Sequence, residues 1–133
     1  MFPALNPAAI RALKSFRSSK PWRGSAEERR TKFETLLDGL STAYGLVRPE
    51  LRLCLVNSGT AGNGVYSPEH NLIVLAGKLS VVTFLYCFGR AGGLDRDGAL
   101  EWARDLFRRF FPRSHGGCRQ VGDLLLKDQA MRN

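Results

Sequence analysis

The stretch NLIVLAGKLSVVTFLYCFGRA, residues 71–91, joins two hydrophobic patterns across a short break. Leu72, Ile73, Val74 and Leu75 form a short apolar run closed by Gly77, which predicts a strand. Beyond the break, Leu79, Val81, Val82, Phe84, Leu85, Tyr86 and Phe88 leave almost no polar face. A helix of that composition is buried on nearly all sides. It is therefore the element around which the others gather, and Gly89, Gly92 and Gly93 are expected to end it.

The flanking elements follow from this centre. Toward the N-terminus, Leu51, Leu53 and Leu55 alternate with Arg52, Cys54 and Val56, predicting a first strand. A Gly-rich turn from Asn57 to Gly64 leads to a second strand near Val65 and Tyr66, and Ser67, Pro68 and Glu69 turn the chain into the third. Further back, Ser25 and Glu28 have capping-box spacing, and Phe33, Leu36, Leu37, Leu40 and Tyr44 recur at helical spacing. A helix is expected from about Ala26 to Tyr44, stopped by Gly45. Residues 7–17 carry Ile10, Leu13 and Phe16 opposite basic residues, a short amphipathic helix with Pro7 at its start. On the C-terminal side, Asp97 is expected to cap a helix whose apolar stripe is Ala99, Leu100, Trp102, Ala103, Leu106, Phe107 and Phe110, with Pro112 terminating it. Val121, Leu124, Leu125 and Asp128 suggest a last short helix. The predicted class is α+β: a small three-stranded sheet with a buried central helix and flanking helices. Residues 1–24 are read as a basic N-terminal arm with a short helix, and 25–133 as one domain.

The length of 133 residues and a hydrophobic content of 44% support one packed core rather than disorder. No apolar run approaches the roughly 18–20 residues that span a bilayer, and Pro3, Pro7 and scattered basic residues stand where a signal peptide has its apolar run. Three cysteines, Cys54, Cys87 and Cys118, do not make a disulfide scaffold. A cytoplasmic protein with no membrane partner is expected.

The net charge of +8 is concentrated. Arg11, Lys14, Arg17, Lys20 and Arg23 give residues 1–26 a net +5 with no acidic residue. Arg104, Arg108, Arg109, Arg113 and Arg119, opposed by Asp105, give residues 104–119 a net +4. Fifteen of the twenty basic residues are Arg, whose planar fork grips phosphate or carboxylate at two points. Such clusters are the footprint of a polyanion-binding surface or the solvated faces of helices, and charge alone leaves both open. Trp22, between Lys20 and Arg23, has the same two sides. It is a linker tryptophan packed on the domain or, as the functional alternative, a platform for stacking on a base.

Motifs for catalysis are sparse. There is no P-loop, dinucleotide fingerprint, nucleophile elbow or C-x-x-C. His70 follows Glu69 in a predicted turn and reads as solvent-exposed. His115 and Cys118 form an H-x-x-C without two further ligands at recognisable spacing.

The run 71–91, followed by Trp102, Leu106, Phe107, Arg108, Arg109, Phe110, Phe111, Pro112 and Arg113, resembles the zincin-like proteins of phages and bacteria. Their corresponding segment reads along the lines of K-L-S-V-x-T-F-L-H-E-x-x-H-A. The resemblance covers the middle and later half of the chain. It implies a minimal metallopeptidase-type domain, with a strand leading into a buried helix that carries H-E-x-x-H. In this chain the defining residues are replaced. The two zinc-binding histidines fall at Tyr86 and Arg90 and the general-base glutamate at Cys87. A metzincin-type extension keeps its glycine at Gly93 but places its third ligand at Arg96. A catalytic zinc requires three protein ligands and an open fourth position, and a permanent guanidinium in a ligand position repels a dication.

The resemblance with its motif degenerate implies a non-catalytic binding module, not an enzyme, that takes no cofactor. Its expected partner is nucleic acid or else an acidic protein surface. Phosphate contacts are assigned to Arg11, Lys14, Arg17, Lys20, Arg23, Arg108, Arg109 and Arg113, with Trp22 beside them. Tyr86 and Arg90 share a helix face, so Arg90 is expected to pair with Asp97 or Glu101 and replace zinc as the cross-link between helices. Two alternatives stay open. One is an active zinc metallopeptidase with a ligand set drawn from Cys87, Asp95, Asp97, Glu101 or His115. The other is a phage or mobile-element regulator that binds a host protein.

Overall fold

A computed structural model describes residues 5–54, 63–76 and 79–111. The elements in chain order are α1 (Pro7–Ser18), α2 (Ala26–Tyr44), β1 (Glu50–Cys54), β2 (Asn63–Ser67), β3 (Leu72–Ala76), α3 (Val81–Ala91) and α4 (Arg96–Phe110). Among the described residues, four helices and a small mixed sheet make an α+β arrangement, as the sequence pattern predicts. The predicted terminator Pro112, the last helix around Val121, the tip of the Gly-rich turn and Gly77 lie outside the described residues.

The helix boundaries have local causes. Asn6 caps α1, its Oδ1 accepting from the Ala9 amide at 2.8 Å, while its Nδ2 donates to the Ala43 carbonyl at the end of α2. Ser25 and Glu28 form the expected capping box, and Gly45 closes α2 at φ 65° in the left-handed region. Ser80 caps α3. Two expectations are corrected. Asp95, not Asp97, caps α4: its Oδ1 accepts from the Gly98 amide at 2.7 Å, and Asp97 lies in the first turn, where its charge favours the positive end of the helix dipole. Gly89 does not end α3. It is buried inside the helix, and Gly92 is the C-cap.

The sheet order is β1-β3-β2, with β1 parallel and β2 antiparallel to β3. Asn71 joins the three strands at one end. It sits at φ 47°, a conformation asparagine tolerates, accepts from the Tyr66 hydroxyl through Oδ1, donates from Nδ2 to the Val47 carbonyl, and offers its own carbonyl to the Glu50 amide. Ile73 and Leu75 of β3 and Leu51 of β1 are buried, whereas Arg52, Cys54 and Val65 are exposed. The sheet thus has one packed face and one wetter face.

Helix α3 lies in the core as its composition requires: every residue from Val82 to Gly89 is buried. Two glycines let neighbours approach it closely. A Cβ on Gly64 of β2 would stand 2.6 Å from Thr83 Cγ2 and 3.0 Å from Cys87 Sγ. A Cβ on Gly89 would stand 3.1 Å from the Ala99 Cβ and 3.3 Å from its Cα, so the contact between α3 and α4 is almost backbone to backbone. Helix α1 joins the same core through Ala9, Leu13 and Phe16.

Two predictions test this packing. Gly89→Val should destabilise the domain by about 1–3 kcal/mol in urea unfolding, because the opposing Ala99 Cβ and Cα have no torsion by which to turn away. Hydrogen bonds from the Ser25 amide and hydroxyl hold the Glu28 carboxyl below the usual carboxylate range. A lowered native pKa stabilises above the ordinary range, and that contribution is lost as pH falls through the native value. Urea midpoints of the parent and Glu28→Gln should therefore differ at neutral pH and converge in acid.

Candidate nucleic-acid interface

The predicted phosphate-binding residues fall on α1, the turn after it and the end of α4. In α1 the apolar positions Ala9, Leu13 and Phe16 face inward, which leaves Arg11, Lys14 and Arg17, spaced by three, exposed on the other side. In α4, Arg108 and Arg109 are exposed in the last turn, while Arg104 is half-buried one turn earlier. The two segments are nearly ninety residues apart in the chain, yet their ends meet in the fold. The Phe16 ring stands edge-on to the Phe111 ring with centroids 6.1 Å apart. Arg17 adjoins one ring in sequence, and Arg108 and Arg109 precede the other by three and two residues. Arg113 lies outside the described residues.

These cations have little internal competition. Among the described residues, none of Arg11, Lys14, Arg17, Lys20 and Arg23 makes an ion pair. Arg108 and Arg109 share Asp105 at 3.9 and 3.5 Å, with both arginines more than half exposed. Exposed pairs of that geometry contribute about 0–1 kcal/mol, so they yield readily to a phosphate. Both basic ends also lie at helix C-termini, where the dipole opposes an anion with roughly half a negative charge each. Arg17, Arg108 and Arg109 bring three full positive charges against about one from the two helix ends and one from Asp105, and the positive sign prevails.

The turn between α1 and α2 is built rather than slack. Trp22 within it is 53% exposed, which corrects the expectation of a tryptophan packed on the domain. Lys32, absent from the sequence-derived set, donates from Nζ to the carbonyls of Lys20 and Arg23, 3.2 Å from each. No local pattern signals this role, because the contacts reach across twelve and nine residues.

The positions that the zincin resemblance singles out are arranged differently from a metal centre. Tyr86 is 2% exposed, and Cys87 is fully buried with its Sγ toward β2 at Gly64. The expected Arg90 pairing with Asp97 or Glu101 is overturned. Arg90 Nη1 donates to the Leu94 carbonyl at 3.2 Å, across the turn that follows its own helix, and among the described residues it makes no ion pair. The turn through Gly92 and Gly93 brings that carbonyl back within reach, so the guanidinium is satisfied locally and the carboxylates stay in water. Arg96 is the first residue of α4, and its buried Nε has no hydrogen-bond partner among the described residues. Of the alternative ligands, Asp95 is committed to its cap, Asp97 and Glu101 are exposed, and His115 lies outside the described residues. His70 is exposed in the β2–β3 turn, as expected. Among the described residues no three His, Cys, Asp or Glu side chains converge on one point. A zinc ion does not fit the environment of Tyr86 and Arg90.

A shallow depression between α2 and β1 is lined by Glu27, Arg30, Glu34, Asp38 and Leu53. Two of its carboxylates are engaged by basic side chains: Glu34 by Arg30 and Arg48, and Asp38 by Arg48. It is a paired, solvated surface remote in character from the basic one.

A double-mutant cycle checks the Arg90 assignment. Arg90→Ala combined with Asp97→Ala or Glu101→Ala should give additive stability losses, within about 0.5 kcal/mol, because neither carboxylate shares a contact with the guanidinium. A coupling above about 1 kcal/mol would restore the ion-pair reading. No helix among the described residues is long and apolar enough to cross a membrane. Comparison with protein-family models, with curated proteins and with solved structures finds no match for this chain.

Proposed function

We propose that this domain is a non-catalytic binding module that holds nucleic acid on the surface formed by α1, the turn after it and the C-terminal end of α4. One observation carries the reading: the contact between Phe16 and Phe111 joins the end of α1, which carries Arg17, to the end of α4, which carries Arg108 and Arg109, so cations of both basic segments contribute to one region. Exposed arginines at the ends of helices, Arg17 without an ion pair and Arg108 and Arg109 only weakly paired with Asp105, fit a phosphate backbone, because the guanidinium grips oxygen pairs and pre-organised supports lower the entropy lost on binding. Affinity then derives from release of condensed counterions, with no sequence preference implied.

The pseudoenzyme part of the proposal rests on the resemblance of residues 71–91 to a zincin segment and on two features of the structure. Strand β3 leads into a buried helix, α3, and the side chain in the first histidine position, Tyr86, is packed in the core. A helix once suited to a metal would, on this reading, serve as the core on which the basic surface is mounted.

Anisotropy titration of a short labelled oligonucleotide against increasing salt tests the proposal. Log affinity should fall linearly with log salt, with a slope of about 0.7 to 0.9 per phosphate contact. Replacing Arg17, Arg108 and Arg109 together by Ala should reduce that slope by about two to three units. Salt-insensitive binding, or none at low salt, overturns the reading; salt-dependent capture of an acidic protein alone would favour a protein partner.

A further inference from the structure

The turn from Lys20 to Gly24 is held from both sides. Lys20 adopts φ 53°, a left-handed conformation that a residue with a Cβ rarely takes. It is kept there by its own amide donating to the Arg17 carbonyl at 3.0 Å and by the Arg23 amide donating to the Lys20 carbonyl at 2.9 Å. Lys32 Nζ, donating to the carbonyls of Lys20 and Arg23, fastens the turn to α2. Pro21 is buried beneath it, and the capping box begins at Ser25. Yet the largest side chain in this braced segment, Trp22, is 53% exposed and has no ring or hydrogen-bond partner among the described residues.

An indole on a fixed turn, with Lys20 and Arg23 exposed on either side, has the composition of a stacking platform between phosphate contacts. No acidic residue precedes Glu27 in the sequence, and the carboxylate nearest the turn, Glu28 beside Gly24, accepts from the Ser25 amide. An indole face stacks only on a base whose own face is free, and the bases of a duplex already cover one another. We infer that the ligand of the basic surface is single-stranded nucleic acid, with Trp22 stacking on an unpaired base while Lys20 and Arg23 hold the flanking phosphates. This inference rests on the nucleic-acid reading above and names its substrate class.

The test compares one thymidine-rich single strand with a duplex of the same length, using the intact protein and its Trp22→Ala and Trp22→Phe variants. Because Trp22 is exposed, the thermal midpoints of the variants should stay close to that of the parent, which separates binding from folding. Trp22→Ala should weaken single-strand binding by about 5- to 150-fold, the range for loss of one base–aromatic stack. Duplex affinity and the salt slope should stay unchanged, since no phosphate contact is lost, and Trp22→Phe should recover most of the loss. If Trp22→Ala binds the single strand like the parent, or weakens single strand and duplex equally, the inference fails while salt-dependent binding keeps the broader proposal standing. Absence of binding to either oligonucleotide at low salt removes both. Trp22-dependent binding to phosphatidylserine vesicles, without oligonucleotide binding, would assign the surface to lipid instead and overturn both.

Discussion

The structure depends on Phe33, which stands edge-on between Phe16 and Phe84 with ring centroids 5.1 and 5.4 Å away. Phe16 in turn meets Phe111, and Phe111 stacks on Phe107. This chain of rings runs from the buried helix α3 through α2 and α1 to the end of α4. Edge-to-face pairs are directional and add about 0.5–1.5 kcal/mol each beyond the area they bury. They therefore locate α1 as well as stabilise it. A shift of that helix would separate Phe16 from both Phe33 and Phe111, and with them the two basic ends.

The same core explains where charge is found. Each helix spends its apolar stripe on the rings and leaves its outer face to polar residues. On α2 that face carries Glu27, Glu34 and Asp38, satisfied mainly by Arg30 and Arg48. On α1 its charged residues are all cations, and they have no such partners among the described residues. Among the described residues the outer face of α2 is consequently largely paired, whereas that of α1 is basic and unpaired.

Much of the fold was legible because its signals are local. The capping box at Ser25 and Glu28 and the glycine at position 45 mark both ends of α2, and the unbroken apolar run of α3 predicts its burial. The errors have a common origin. Asp95 and Asp97 are both competent caps in sequence, and only the chain's entry angle gives the Gly98 amide to Asp95. Gly89 looks like a terminator because it stands near a helix end, whereas its use is to let Ala99 of another helix come close. Arg90 seemed to need a carboxylate, but the turn after α3 supplies a carbonyl. In the candidate site, exposure of the arginines on α1 follows from the helical period. Exposure of Trp22 does not, since its surroundings are set by Pro21 below and by Lys32 from the next helix.

By itself, the sequence determined the quantities that depend on near neighbours: helix and strand period, caps, the class of the fold, and the two basic segments of the chain. Only the tertiary structure decided that those segments end side by side, that Trp22 is presented rather than packed, and that Tyr86 is closed into the core. The physical reason is the range of the interactions. Capping bonds and amphipathic periods act over three or four residues and are written in order along the chain. The contact between Phe16 and Phe111 joins residues whose separation no local pattern encodes, and it exists because a helix with no polar face had to be covered from every side.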